Sequence, residues 1–126
     1  MPRLTCVRSF AVLAFALSLS ACHRPPPNGA WAGVGDPARG HDLIIHAGCG
    51  ACHRIPGVSG ANGRVGPPLD GMAERTIIAG MLPNTPGNMI HWLEAPQSVV
   101  PGNAMPNMEL DDHDARDIAA YIYSLR

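Results

Sequence analysis

The sequence predicts a small all-α domain in which a few helices alternate with turn-rich loops. Apolar residues recur at helical spacing in three stretches, and two of these stretches begin with a capping residue followed by proline. Among 126 residues there are 14 Gly and 13 Pro, which predict many turns, and only two each of Phe, Trp and Tyr. So short a chain with so few large side chains buries little apolar surface of its own. We therefore expect a large apolar group bound at the centre of the fold.

The motif around which the chain is organised is CGACH at residues 49–53. A Cys-x-x-Cys-His run is typical of covalent haem attachment. Two thiols three positions apart can each add to one vinyl group of the same porphyrin, and the adjacent imidazole is then placed to ligate the iron. We predict that Cys49 and Cys52 attach one haem c per chain and that His53 is its proximal ligand.

Two other uses of a Cys-x-x-Cys pair are disfavoured by the surrounding sequence. A zinc knuckle needs two more Cys or His ligands at similar spacing, and the chain has no second such pair. A redox-active disulfide of the thioredoxin type needs a βαβ context, which the Gly- and Pro-rich flanks do not suggest. Covalent haem attachment remains the better interpretation.

The N-terminus is predicted to be an export signal, residues 1–21. Two arginines precede an apolar run of twelve residues, 10–21, which is too short to span a bilayer. The run leads into LSAC at residues 19–22, which resembles the bacterial lipobox. That resemblance implies cleavage before Cys22 and a diacylglycerol on its sulfur, whereas an ordinary signal cleaved nearby would leave a free thiol. We therefore expect a protein anchored in the periplasm or on the outer face of the cytoplasmic membrane.

A linker is predicted at residues 22–35, followed by one domain at 36–126. The linker is rich in Pro, Gly and Ala, and three consecutive prolines favour an extended conformation. Its one aromatic residue, Trp31, is either solvated or in contact with the domain. From Cys22 onward the chain has seven Arg, ten acidic residues and no Lys, a formal net charge of −3. This balance gives no support for nucleic-acid binding.

The first helix is predicted to start with Asp36 as N-cap and Pro37 as its first residue, and to run to about Ala47. Gly40 and Ile44 lie on one face of it because they are four residues apart. Residues 70–75 predict a short helical turn, and residues 76–79 an extended or irregular link.

Two further helices are predicted in the second half of the chain. Thr85 caps one that opens at Pro86 and ends before Pro96. The last begins after Leu110 with Asp111 as its cap, and apolar residues recur along it at helical spacing.

The haem motif and its flanks, GCGACH-x-IPG followed by GPPL at residues 66–69, resemble class I c-type cytochromes. The resemblance implies that the Pro67 carbonyl accepts the Nδ1 proton of His53, which fixes the tautomer and leaves Nε2 for iron. It also implies that Leu69 packs on the porphyrin, although a plain core position is an equally economical description.

The segment IAGMLPNTP at residues 78–86 resembles the cytochrome c domain fused to subunit II of some bacterial haem-copper oxidases. The likeness extends over about residues 36–126, and we expect a free-standing relative of that domain. It implies that Arg75 and Asn84 hydrogen-bond a haem propionate and that Trp92 packs over the haem; a solvated Arg75 is the alternative.

The same resemblance implies the second axial ligand. The segment PGNAMP at residues 101–106 has the family's ligand pattern, and it nominates Met105. A thioether is a soft, neutral ligand that favours ferrous iron. Met108, three residues later, is the rival. The terminal helix is expected to cross the first, with Ile118 and Tyr121 against its Gly40 face.

The predicted function is electron transfer rather than catalysis. If His53 and Met105 both ligate the iron, no small-molecule substrate can bind without displacing one of them. Expected partners in a respiratory chain are a quinol-oxidising complex or a dehydrogenase as donor and a terminal oxidase as acceptor. Two alternatives remain open: an open haem site that binds nitric oxide or peroxide, and a fixed cytochrome subunit of a larger oxidoreductase.

Overall fold

A computed structural model describes residues 31–125, so the predicted signal and Cys22 lie outside the described residues. Helices dominate this part of the chain, which confirms the all-α class. The α-helices, in chain order, are α1 (Pro37–His46), α2 (Pro86–Glu94), α3 (Pro96–Val99) and α4 (Asp112–Ser124). Single 3₁₀ turns occur at Cys49–Ala51 and Met72–Glu74, and two short strands are β1 (Ile77–Ile78) and β2 (Leu82–Pro83). No helix within residues 31–125 has the length and hydropathy needed to cross a bilayer.

The predicted starts of α1 and α4 are confirmed, and each is fixed by an aspartate cap. The Asp36 carboxylate accepts the main-chain N–H of Ala38 at 2.8 Å, and the Asp111 carboxylate accepts that of Asp114 at 2.8 Å. These bonds satisfy N–H groups that have no partner inside the helix. Acidic residues in the first turn of α4 also stabilise the helix, because their negative charge lies near the positive end of the helix dipole.

Helices α1 and α4 cross at Gly40, as predicted. A Cβ at Gly40 would overlap the main-chain carbonyl of Asp117 and come within 3.0 Å of the Tyr121 Cβ. Beside this crossing, Ile44 and Ile118 are completely buried. The absence of a side chain at position 40 therefore lets the two backbones approach closely enough to bury both isoleucines.

Helix α2 begins at the predicted cap, where the Thr85 hydroxyl accepts the Asn88 N–H at 3.2 Å. Pro96 both ends α2 and opens α3, since proline is tolerated in the first turn of a helix but not within one. Helix α3 was not predicted. It is only four residues long, too short to show a periodic pattern.

The link expected at residues 76–79 is one arm of a small hairpin. Ile77 pairs with Pro83 and Ile78 with Leu82 in antiparallel register. Between them the chain turns through Ala79 at φ 52° and Gly80 at φ 75°.

Residues 31–35 lie against the domain rather than apart from it. The Trp31 ring stacks on Tyr123 with centroids 3.3 Å apart and planes inclined by 21°. Val34 also contacts the core. The open question about Trp31 is settled in favour of contact with the domain.

Candidate haem site

A cavity of about 540 Å³ lies between α1, α2, α4 and the loops that join them. Its volume falls in the usual range for small-molecule and cofactor sites. Apolar side chains form most of its wall. Nine residues singled out from the sequence line it together: Cys49, Cys52, His53, Pro67, Leu69, Arg75, Trp92, Met105 and Met108.

The two cysteines are brought to the cavity by the 3₁₀ turn that follows α1. Gly48 enters it at φ 70°, and the N–H groups of Cys52 and His53 both bond the Cys49 carbonyl, at 3.2 and 2.9 Å. Burial raises the pKa of the Cys49 thiol, so the group is uncharged near neutral pH. A redox-active Cys-x-x-Cys pair works by a lowered thiol pKa, so this environment does not suit one.

A zinc site is also disfavoured by the structure. Within residues 31–125, no group of three or more His, Cys, Asp or Glu side chains is placed to hold a metal ion. Cys49 and Cys52 instead line the largely apolar cavity.

His53 is oriented by its neighbours in the loop 63–69. Its Nδ1 lies 2.7 Å from the Pro67 carbonyl oxygen, which can only accept a hydrogen bond. Nδ1 therefore carries the proton, and the Nε2 lone pair is left for a metal. Gly66 lies so close to the ring that a Cβ at this position would overlap the Cε1 and Nδ1 atoms of His53. Its own N–H donates to the Cys52 carbonyl at 2.9 Å.

The two methionines, Met105 and Met108, are both half-buried and both line the cavity. The structure therefore places either thioether within the site. Their main chains differ: the N–H of Met105 donates to one nearby amide side chain and its C=O accepts from another, as described below.

Arg75 and Asn84 have different places. Arg75 lines the cavity, and its Nη2 donates to the carbonyls of Pro68 at 2.6 Å and Asp70 at 3.2 Å. Its remaining N–H groups make a propionate contact feasible, and that role stays a prediction.

Asn84 lies outside the cavity lining. Its Nδ2 donates to the carbonyls of Met72 at 2.8 Å and Arg75 at 2.7 Å, and its Oδ1 accepts from the Tyr123 hydroxyl at 2.6 Å. Both amide hydrogens are used, which disfavours the expected propionate contact. Asn84 instead joins the 3₁₀ turn at Met72 to α4.

Leu69 and Trp92 contribute apolar wall. Leu69 is buried and Trp92 half-buried, and both line the cavity. The cavity is also lined by Met72, Met89, Ile44 and Ile118, which no sequence pattern distinguishes from ordinary core residues.

The residues present fit a covalently held haem. Two thiols, an imidazole with its Nε2 free and an available thioether meet at one apolar cavity, and Gly66 leaves room for the imidazole. The fold and site thus define a small haem protein of the electron-transfer class. Residues 37–126 match the family described as cytochrome c, and the chain belongs to that family. It accordingly carries covalently bound haem c with its iron.

Similar proteins include two named cytochrome c oxidase subunit 2. The one from Alkalihalophilus pseudofirmus is 33% identical over 89 residues, covering 70% of this chain and 25% of that protein. The one from Bacillus sp. (strain PS3) is 32% identical over 98 residues, covering 74% and 28%. The chain therefore spans about a quarter of the length of these relatives. The predicted likeness to the cytochrome domain of oxidase subunit II is confirmed.

Proposed function

We propose that this protein carries single electrons between respiratory redox partners, with His53 and Met105 as the two axial ligands of its haem iron. The haem supplies a ferric/ferrous couple when bound. The observation that carries the proposal is one cavity lined by both attachment thiols, an imidazole oriented through Nδ1 and a thioether held in a bonded loop. Those groups would hold the cofactor.

The cavity wall supports electron transfer over catalysis. Within residues 31–125, no carboxylate and no second histidine line the cavity. Peroxide chemistry at a haem requires groups that move protons at the open side of the iron. Arg75 is the one charged side chain in the described lining, and two neighbouring carbonyls already bind its guanidinium.

A redox titration combined with carbon monoxide binding tests the proposal. The holoprotein should titrate as a one-electron couple, and its ferrous form should bind carbon monoxide poorly because a protein ligand must leave first. The Met105→Ala variant should bind it readily. Rapid, tight binding to the wild type would contradict a closed site and favour a gas-binding or peroxide-binding haem.

The partners we propose are a quinol-oxidising complex or dehydrogenase as donor and a terminal oxidase as acceptor. The two relatives named as oxidase subunits support the second assignment. At the cavity wall, Val65 and Ile77 are 68% and 47% exposed, and the chain has no lysine. We expect docking through apolar surface, so that transfer rates to an oxidase change little with ionic strength. A steep salt dependence would contradict this.

Whether the protein is a free carrier or a fixed subunit is testable by affinity capture from detergent-solubilised membranes. A fixed subunit would co-purify with oxidase or dehydrogenase polypeptides in constant ratio. A free carrier would be recovered alone.

We further propose an outer-face or periplasmic location with a lipid anchor at Cys22. The lipobox-like tetrapeptide at residues 19–22 supports this. Mass spectrometry of the mature N-terminal peptide should show a diacylglyceryl-modified Cys22. An unmodified Cys22, or cleavage elsewhere, would contradict the anchor.

A further inference from the structure

The Gln97 side chain binds the loop that carries Met105 at three points. Its Nε2 donates to the main-chain oxygens of Asn103 at 3.0 Å and Met105 at 2.7 Å. Its Oε1 accepts the Gly102 N–H at 3.0 Å. Gln97 lies on α3, which begins at a fully buried proline, so the amide extends from an anchored element.

Asn103 completes the arrangement from inside the loop. Its Nδ2 donates to the carbonyls of Pro96 at 3.0 Å and Val100 at 2.6 Å, and its Oδ1 accepts the Met105 N–H at 2.7 Å. The main-chain N–H and C=O of Met105 are therefore both bonded by side chains. Rotating either side-chain amide by 180° would break these bonds, because the amide oxygen would then face the main-chain carbonyl oxygens that now accept from the amide nitrogen.

Met108 offers a contrast within the same cavity. Its main-chain N–H and C=O have no hydrogen-bond partner among residues 31–125. The next residue, Glu109, has a left-handed backbone at φ 55°. Of the two cavity-lining methionines in this loop, Met105 and Met108, only Met105 has a main chain that is hydrogen-bonded at both its N–H and its C=O within residues 31–125.

We propose that Gln97 and Asn103 are positioning residues that hold Met105 on the iron and keep its loop from opening to small ligands. The inference rests on the proposed ligation of iron by Met105. Each hydrogen bond contributes modestly to stability, but an added ligand must compete with the loop-closed state. Its apparent affinity therefore rises in proportion to the open fraction.

The variant Gln97→Glu tests this with almost no change in shape. It keeps an acceptor for Gly102 but sets carboxylate oxygen against the Asn103 and Met105 carbonyls. The matched control is Asn107→Asp, which makes the same amide-to-acid change at an exposed position of the same loop. Imidazole is titrated into each oxidised holoprotein while the sulfur-to-iron charge-transfer band is followed, and global unfolding is measured by circular dichroism.

We expect imidazole to bind Gln97→Glu roughly tenfold more tightly than wild type, since about two hydrogen bonds are lost. Asn107→Asp should behave as wild type in both measurements, whereas Gln97→Glu should also lose some global stability, since loop opening and unfolding both start from the closed native state. Equal imidazole affinity in the two variants would overturn the proposal, as would a loss of global stability in Gln97→Glu with no rise in imidazole affinity. A charge-transfer band that survives in Met105→Ala would overturn the ligation itself, and the present proposal with it.

Discussion

The orientation of His53 depends on the main chain of two neighbouring residues, Pro67 and Gly66. The Pro67 carbonyl, 2.7 Å from Nδ1, sets the tautomer, and Gly66 leaves the space in which the ring lies. Partners of this kind orient the ring and raise the basicity of the nitrogen that binds metal. At this site the main chain therefore determines the ligand as much as the histidine does.

Gly66→Ala should disrupt the site through a single methyl group. The new Cβ would overlap the imidazole, so the ring must rotate away and lose its bond to Pro67. Loss of such a partner commonly costs ten- to a hundredfold in metal affinity. We expect about tenfold less correctly ligated holoprotein, measured by absorption spectrum and by haem staining of a denaturing gel.

Gly87→Ala is the control, because nothing lies within 4 Å of a Cβ at that position. It should give wild-type holoprotein. Wild-type spectra and yield from Gly66→Ala would show that the ring does not need the space, and would contradict this account of His53.

Some of the site residues could be predicted from the sequence and others could not. Cys49, Cys52 and His53 form a local motif whose chemistry is fixed by spacing alone, and the His53–Pro67 bond followed from family resemblance. Gln97 could not be found in this way. Its role depends on reaching three main-chain groups of a folded loop, and an amide side chain in sequence carries no mark of its partners.

At the scale of elements, the α1–α4 crossing supports the wall of the cavity. Ile44 on α1 and Ile118 on α4 are fully buried, and both line the cavity. Their positions depend on the close approach at Gly40. The spacing of apolar residues predicted both helices and their shared face, because that periodicity reflects burial directly.

Gly40→Ala should weaken this crossing. Its Cβ would overlap the Asp117 carbonyl, which belongs to helical main chain and cannot move without shifting α4. Overpacking of this kind costs about 1–3 kcal/mol. We expect a lower midpoint in chemical denaturation of the holoprotein and a reduced yield, with larger losses for Gly40→Leu. An unchanged unfolding curve for Gly40→Ala, beside that of Gly87→Ala, would contradict the packing.

Asp117 links the same two helices by charge. It is 3% exposed, accepts the Asp36 N–H at 2.7 Å and pairs with Arg39, which also binds Asp114; His113 lies 3.6 Å away. Burial by itself would raise the pKa of Asp117, but the Asp36 amide and the Arg39 guanidinium outweigh it, so the pKa is lowered. The folded protein therefore favours the carboxylate form.

Asp117→Asn should accordingly destabilise the protein in a pH-dependent way. A lowered folded-state pKa contributes stability above the unfolded value of about 3.9 that is lost as pH falls through the folded value. We expect the free energy of unfolding to fall by about 1–3 kcal/mol near pH 7, which is typical of lost hydrogen bonds to charged groups. The difference from wild type should become smaller below about pH 4. Denaturation curves at several pH values measure it.

The exposed Asp112 on the same helix, which pairs with Arg116, provides the comparison. Asp112→Asn should change stability little at any pH. If the difference in free energy of unfolding between wild type and Asp117→Asn stayed constant down to acid pH, the carboxylate charge would not be what links the helices.

At the scale of the whole molecule, the segment that precedes the predicted domain contacts it. Pro- and Gly-rich composition marked residues 22–35 as linker, but Trp31 stacks on Tyr123 of the terminal helix. Composition averages over a segment and cannot identify the one residue in it that finds a partner. The β-hairpin and α3 were missed for a related reason, since each is too short for periodicity to register.

We propose that His53 and Met105 fill the two axial positions of the haem iron and thereby suit the molecule to carrying electrons. The most direct measurement is the sulfur-to-iron charge-transfer band of the oxidised holoprotein in wild type, Met105→Ala and Met108→Ala. We predict that the band is present in wild type and Met108→Ala and absent from Met105→Ala. A wild type without the band, or a band that disappears with Met108 instead, would contradict the central claim.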